Sequence, residues 1–181
     1  MCSEELGDGV TQTDMDRLAV IAYPDPRLAL KSAPIEKIDD SLKRLVDKMF
    51  ELMFQARGVG LAAPQVGLNI RLFVASPTFE QDDRQVYINP EILSAEGSQE
   101  DEEGCLSVPG VSCKIKRANV VTIQASDLSG ERFEQTGEGL LARIFQHETD
   151  HIEGRLILDR MGSVAKLANR RALKDLEENF G

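Results

Sequence analysis

The segment GEGLLARIFQHETDHIEG, residues 137–154, sets the architecture that we predict for this chain. Its pattern is that of an α-helix that ends at Gly154. One side of this helix carries Leu140, Ile144, His147 and His151. The two histidines are the only ones among the 181 residues, and they lie four positions apart around Glu148. We therefore predict a central helix whose histidine-bearing side has a function.

The H-E-x-x-H spacing of this helix indicates a metal site. Residues four apart on a helix lie about 6 Å apart on the same face, so His147 and His151 can both bind one cation while Glu148 emerges beside it. The alternative is a pair of structural histidines that share a helix face without binding anything. The sequence predicts a metal site with a glutamate next to it.

A third ligand is needed, because catalytic metal sites usually combine three protein ligands with one open position. The extended metzincin pattern is excluded, since Ile157 occupies the place of its last histidine. Cys105, in the bend EEGCLSVPG (102–110), is the better donor. Glu177 and Glu178 remain alternatives, and a zinc endopeptidase would use one of them. Of the other cysteines, Cys113 reads as a strand residue and Cys2 as part of a tail.

Composition limits the classes of partner. The chain carries a net charge of −10, which argues against DNA or RNA as the main ligand, and no apolar run is long enough to span a membrane. The start of the sequence has no export or organelle signal, so we expect a cytoplasmic protein. Lys166, Arg170 and Lys174 form a cationic stripe in the last helix, which is either a solvated face or a ribosome contact.

The segments before the central helix alternate between helical and β patterns. A helix is predicted over residues 40–57, with Asp40 or Ser41 as its cap. Its buried stripe would consist of Leu42, Leu45, Val46, Met49 and Met53. Strands are predicted at 70–76, 85–93 and 119–127, with a hairpin turn at 128–130. Residues 17–28 read as a short strand or extended segment, and the acidic residues 96–104 as a solvated loop.

The chain as a whole reads as one domain, residues 1–181, with a flexible tail at 1–15. A last helix is predicted to begin with Ser163 as its cap. Its core face would consist of Val164, Leu167, Ala168, Ala172, Leu176 and Phe180. Strands followed by segregated helices indicate an α+β fold, with mostly antiparallel sheets packed around the central helix and further helices near both ends.

A glycine-rich segment, GVGLAAPQVG at 58–67, follows the first helix and lacks the lysine of a phosphate-binding loop. Together, GVGLAAPQ, EGCLS and QHETDH resemble the three motifs of the peptide deformylase family, and the resemblance covers about residues 17–176. It implies a hydrolase that removes the formyl group from the N-terminal formylmethionine of nascent peptides, with Fe²⁺ as the usual metal. Zn²⁺, Co²⁺ and Ni²⁺ are compatible with the same ligands.

The resemblance also implies a role for each motif residue. The implied metal ligands are Cys105, His147 and His151, and Glu148 would be the general base. The side chain of Gln65 and the backbone N–H of Leu106 would stabilise the oxyanion. The backbone around Val59, Gly60 and Gly104 would pair with an extended peptide. The methionine pocket would involve Val59, Leu140 and Ile144, which would otherwise be ordinary core residues.

Two other functions compete with this hypothesis. The first is the zinc endopeptidase that recruits Glu177 or Glu178. The second is a metal-stabilised binding or structural module without activity. Structural metal sites are usually closed by four protein ligands, and the sequence offers three convincing donors plus a glutamate placed as a base. The sequence therefore favours the hydrolase.

Overall fold

The computed structural model describes residues 15–180. The predicted tail lies outside this range except for Met15, which is buried beside the first helix. The helices are α1 (Asp40–Gln55), α2 (Leu140–Ile152), α3 (Ile157–Arg160), α4 (Ser163–Ala168) and α5 (Arg170–Phe180). The strands are β1 (Gly60–Ala62), β2 (Leu72–Ala75), β3 (Gln85–Glu96), β4 (Gln99–Gly104), β5 (Ser112–Arg117), β6 (Val120–Ser126) and β7 (Arg132–Glu138). Short 3₁₀ turns occupy Pro26–Ala29 and Ala63–Val66.

The strands form two antiparallel sheets. One has five strands in the order β1-β2-β3-β6-β7, and the other is the β4-β5 pair. Helix α2 packs on the larger sheet, where Phe145 meets the ring of Tyr87 at a centroid distance of 5.3 Å. The predicted α+β fold, with antiparallel sheets around a central helix, is confirmed.

Helix α1 has the buried stripe that its sequence period predicts, since Leu42, Leu45, Val46, Met49 and Met53 are all buried. Its cap is one residue earlier than predicted. The carboxylate of Asp39 accepts hydrogen bonds from the backbone N–H groups of Ser41 and Leu42 at 3.0 and 3.1 Å. Neither Asp40 nor Ser41 is therefore the capping residue.

The C-terminal end of α1 leads directly into the glycine-rich segment. The N–H of Gly58 donates to the carbonyl of Met53 at 2.9 Å, and the N–H of Arg57 donates to that of Phe54 at 3.0 Å. This pairing requires Arg57 to adopt the left-handed conformation, with φ of 57°. The helix ends at Gln55, slightly before the predicted boundary.

The end of α2 follows the sequence prediction. Gly154 is left-handed with φ of 75°, and a Cβ atom there would lie 2.7 Å from the carbonyl oxygen of Ala29. Only glycine satisfies both conditions without a shift of the backbone. The last turn of α2, which carries His151, is therefore held in place by a tight backbone contact.

The acidic segment predicted as a loop is a strand. Residues 99–104 form β4, in which Glu100 stands opposite Lys116 and Glu102 opposite Lys114. This backbone pairing with β5 is long-range, and it outweighs the low strand propensity of glutamate. The other uncertain segment, residues 17–28, forms no regular strand. Its backbone bonds to the glycine-rich and cysteine motifs through Ile21 N–H to Gln65 O and Tyr23 N–H to Ser107 O, both at 2.8 Å.

The predicted core face of the last helix is mostly wrong. Val164, Leu167 and Phe180 are 81%, 71% and 57% exposed, whereas Leu176 is buried. The helix is interrupted at Asn169, so residues before and after this position do not share one continuous face. Gly162 rather than Ser163 occupies the N-cap position. None of the helices within residues 15–180 is both long enough and apolar enough to cross a bilayer.

Candidate active site

Three potential metal donors converge between α2 and the end of β4. The Sγ atom of Cys105 lies 3.3 Å from Nε2 of His151, and this nitrogen lies 3.1 Å from Nε2 of His147. All three donor atoms lie within 4.8 Å of one another. The histidines come from successive turns of α2, and Cys105 directly follows β4. One cation could contact all three atoms.

A hydrogen bond at Nδ1, on the side of the ring away from the other metal donors, fixes the orientation of His147. Its Nδ1 lies 3.0 Å from a carboxylate oxygen of Glu103, so Nδ1–H donates to Glu103 and Nε2 faces Cys105 and His151. Glu103 receives two further hydrogen bonds of 2.9 Å from Arg117. Burial alone would raise the pKa of Glu103, but the hydrogen bonds from Arg117 and His147 hold that pKa well below its usual range. Glu103 therefore remains a carboxylate.

His151 has the neutral imidazole that a metal ligand needs. Burial lowers the pKa of its imidazole well below the ordinary value, which favours the neutral ring. Its buried Nδ1 has no hydrogen-bond partner among the described residues. A thiol and two imidazoles facing one another suit a borderline-soft divalent ion, because sulfur and nitrogen are the donors that such ions prefer. The residues present thus fit a metal ion.

Glu148 lies beside the metal donors and is almost fully enclosed. Its side chain faces Gly60, where an added Cβ atom would lie 2.4 Å from Oε1. Its Oε2 atom is buried without a partner among the residues described. Burial raises the pKa of Glu148 to about 7. A carboxyl group with this pKa can take up and release a proton near neutral pH.

Gln65 presents an amide N–H₂ group to the same site. Its Oε1 accepts the backbone N–H of Ala62 at 2.9 Å, which fixes the orientation of the amide. Its Nε2 therefore points toward Cys105 Sγ, at 3.6 Å, and Ser107 Oγ, at 3.2 Å. Gln65 is buried, so this donor is held in one position. Such a fixed donor can stabilise developing negative charge.

A cavity of about 420 Å³ connects these groups. It is bordered by residues 57–60 on one side and 102–106 on the other. Of the residues predicted for the site, the cavity is lined by Val59, Gly60, Gln65, Gly104, Cys105, Leu106, Leu140, Ile144, His147 and Glu148. Leu140 is half exposed at this cavity and Ile144 is buried. The structure thus brings every predicted site residue except His151 to one cavity, and His151 contacts two of its lining residues.

Several residues that support the site were not predicted from the sequence. Arg117 is buried and bridges Glu103 to Asp150, with a distance of 2.6 Å to the latter. Asp150 also binds Arg160, and Arg143 binds Glu103 at 2.5 Å. The alternating pattern of SCKIKR, residues 112–117, could have indicated that Arg117 is buried, because it places Arg117 on the same face of the strand as Cys113 and Ile115.

The glutamates that an endopeptidase would need are engaged elsewhere. Glu177 accepts a hydrogen bond of 2.7 Å from the hydroxyl of Tyr23, and Glu178 pairs with Lys174 at 3.4 Å. The group of donors that converges includes Cys105 and neither of these carboxylates. The structure does not favour the endopeptidase alternative.

Comparison with known proteins identifies the family. A family model described as polypeptide deformylase matches residues 17–167. The chain belongs to the polypeptide deformylase family. Among related deformylases, that of Acidobacterium capsulatum is 46% identical over 158 residues, which are 86% of this chain and 93% of the relative. The peptide deformylase of Dictyoglomus turgidum is 48% identical over 147 residues, which are 81% of this chain and 94% of the relative.

Solved deformylase structures have the same fold. The plant peptide deformylase PDF1B superposes with a TM-score of 0.87 at 43% identity, with 90% of each chain covered. The peptide deformylase of Legionella pneumophila superposes with a TM-score of 0.84 at 44% identity, covering 89% of this chain and 95% of that one. The family, fold and enzyme class predicted from the three motifs are confirmed.

Proposed function

We propose that this enzyme removes the formyl group from the N-terminal formylmethionine of newly made polypeptides. In this reaction water adds to the formyl carbon, the carbon–nitrogen bond breaks, and formate and a free amine leave. The supporting observation is the convergence of Cys105 Sγ with Nε2 of His147 and His151, within 4.8 Å, next to the cavity that Glu148 lines. These groups supply metal ligands and a base at one place.

We infer that Cys105, His147 and His151 hold Fe²⁺, on the basis of family membership. Zn²⁺, Ni²⁺ and Co²⁺ suit the same sulfur and nitrogen donors and are expected as substitutes. A divalent ion in this position would acidify water and polarise a carbonyl oxygen. The carboxylate of Glu103 keeps His147 in the tautomer that such binding needs.

Glu148 is the proposed general base. Its buried carboxylate would accept a proton from the attacking water and later deliver it to the departing amine. A pKa of about 7 suits both directions of transfer. The close approach of Gly60 limits the positions available to this side chain.

Gln65 and Leu106 are proposed to stabilise the oxyanion. The amide of Gln65 is held by the bond from Ala62, so its Nε2 faces Cys105 at the cavity and would need little movement to donate to the oxyanion. Leu106 follows Cys105, and we propose that its backbone N–H is the second donor. Its side chain packs over Gly58, where an added Cβ atom would lie 2.8 Å from Cδ1 of Leu106.

The substrate is proposed to bind as an added strand. β1 is the terminal strand of its sheet, and the ends of β1 and β4 border the same cavity. The backbone at Val59, Gly60 and Gly104 would pair with the peptide, and Leu140 and Ile144 would join Val59 around the methionine side chain. Main-chain pairing tolerates many sequences after the first residue.

Formate release from formyl-Met-Ala-Ser tests the proposed function. The anaerobically purified, metal-loaded enzyme should release formate, whereas Glu148→Ala should lose about 100-fold or more of the activity while retaining its metal. Cys105→Ser should lose metal, and Glu177→Gln should not. Absence of formate release by the metal-loaded wild type would contradict the proposal. Equal rates for wild type and Glu148→Ala would overturn the assigned base.

The identity of the metal can be tested with oxygen. A thiolate-ligated Fe²⁺ is readily oxidised, so we expect aerobically prepared enzyme to lose activity faster than anaerobically prepared or nickel-loaded enzyme. The measurement is a time course of formate release, accompanied by metal analysis at each point. Equal decay of the three samples would argue against iron.

We also propose a cytoplasmic location, where ribosomes produce N-formylmethionyl chains. A transient ribosome contact would use the exposed basic residues of α4 and α5. These are Lys166, Arg170, Arg171 and Lys174. Such a contact would depend on salt, because it would rest on phosphate charge.

A further inference from the structure

Arg57 occupies an unusual position at the edge of the active-site cavity. It has a left-handed backbone with φ of 57°, in the turn that ends α1, and it lines the cavity two residues before Val59. Glycine is the residue that this conformation favours, and other residues adopt it at a cost of about 1 kcal/mol or more. Termination of the helix therefore gives no reason for an arginine here.

The charge of Arg57 is not balanced by the protein. Its exposed side chain makes no hydrogen bond or ion pair with the described residues. On the opposite border, Glu102 accepts the hydroxyl of Ser112 at 2.7 Å and stands across the strand pair from Lys114. Glu103 is bound by Arg117 and Arg143. One side of the cavity thus presents an unpaired cation.

We propose that Arg57 makes the enzyme prefer substrates with an acidic side chain at the second or third residue. This inference rests on the proposed deformylase function and on peptide binding beside Val59. An extended peptide advances about 3.3 Å per residue, so the residues after the methionine pass within reach of an arginine two positions before Val59. An exposed ion pair of this kind corresponds to a preference of about two- to fivefold.

The preference can be measured with matched peptides. Formyl-Met-Xaa-Ser and formyl-Met-Ala-Xaa, with Glu, Gln or Lys at Xaa, are compared by kcat/KM on the metal-loaded enzyme. At one of the two positions we expect the kcat/KM of the Glu peptide to exceed that of the Gln peptide about two- to fivefold. The kcat/KM of the Lys peptide should be lower than that of the Gln peptide. The ratio should shrink at 1 M salt, where the screening length falls to about 3 Å.

Substitutions distinguish an effect of the Arg57 side chain from an effect of the net charge of the protein. Arg57→Gln should bring the Glu to Gln ratio to about one, and Arg57→Lys should retain most of it. Arg155→Gln is the control, because it removes the same charge from an exposed arginine that does not line the cavity. A wild-type ratio of one at both positions, or a ratio unchanged in Arg57→Gln, would overturn the proposal. Failure of the deformylase function itself would instead appear as no formate from any peptide.

Discussion

Gly60 and Glu148 are the pair of residues whose contact most tightly limits the site. A methyl group on residue 60 would lie 2.4 Å from Oε1 of Glu148, so the carboxylate would have to move. Displacement of a catalytic group by about 1 Å can lower turnover about 100-fold. We expect Gly60→Ala to lose activity to this degree with its metal content unchanged, as measured by kcat and metal analysis.

Gly162→Ala is the matched control for this substitution. A Cβ atom at residue 162 meets nothing within 4 Å, so formate release should stay close to the wild-type rate. Full activity of Gly60→Ala would mean that Glu148 has more freedom than the structure shows.

The placement of the candidate metal ligands was partly predictable from spacing. A spacing of four positions suffices to place the imidazoles of His147 and His151 together, because helix geometry is local. The proposed third ligand, Cys105, could not be chosen from spacing alone, since it is 42 positions from His147 and Glu177 and Glu178 remained open. The support given by Arg117 was not predicted, because its partners depend on strand register and on the docking of α2.

Helix α1 gives a prediction about stability and pH. The pKa of Asp39 is lowered, first by the hydrogen bond from the N–H of Leu42. A carboxylate with a lowered pKa stabilises the fold above its unfolded pKa of about 3.9, and this contribution is lost as the pH falls through the folded value. Asp39→Ala should therefore lower the free energy of unfolding by about 1 kcal/mol at pH 7 and by less near pH 3.

Urea unfolding of wild type, Asp39→Ala and Asp39→Asn at both pH values measures this effect. Asparagine keeps a side-chain oxygen for the cap, so Asp39→Asn should be more stable than Asp39→Ala and should lack the part of the acid dependence that Asp39 contributes. A difference between wild type and Asp39→Ala that is the same at pH 3 and pH 7 would contradict the role of the charge.

At the scale of elements, the sequence predicts those whose pattern is local. The period of α1 and the β-rich runs of β2, β3 and β6 are found close to their predicted positions, and Gly154 ends α2 as expected. β4 was missed because it forms by pairing with β5, which its own composition does not indicate. The interruption at Asn169 was missed for a similar reason, since its side chain donates to the carbonyl of Ser112 at 3.2 Å, far away in the sequence.

Over the whole molecule, one buried ion network joins the small sheet to the helices. It runs from Glu103 on β4 through Arg117 on β5 to Asp150 on α2 and Arg160 on α3. Removal of the Arg117 guanidinium leaves the buried carboxylates of Glu103 and Asp150 with fewer partners. We expect Arg117→Met to reduce the free energy of unfolding by about 3 kcal/mol and to weaken metal binding about 10- to 100-fold, because Glu103 would hold His147 less firmly.

Lys116→Met serves as the control, because this neighbour on β5 is exposed and outside the network. Denaturant unfolding and metal titration of both variants give the two quantities separately. If Arg117→Met loses stability but binds metal like the wild type, Arg117 has a structural role without influence on the ligands.

The active-site cavity opens between the borders of two sheets, and this has a consequence for the cell. Peptide N–H and C=O groups are common to every protein, whereas side chains differ from one gene product to the next. An enzyme that binds mainly through main-chain groups can serve a whole proteome with a single catalyst, and under our proposal Arg57, at the margin of the cavity, would adjust how quickly individual products are matured.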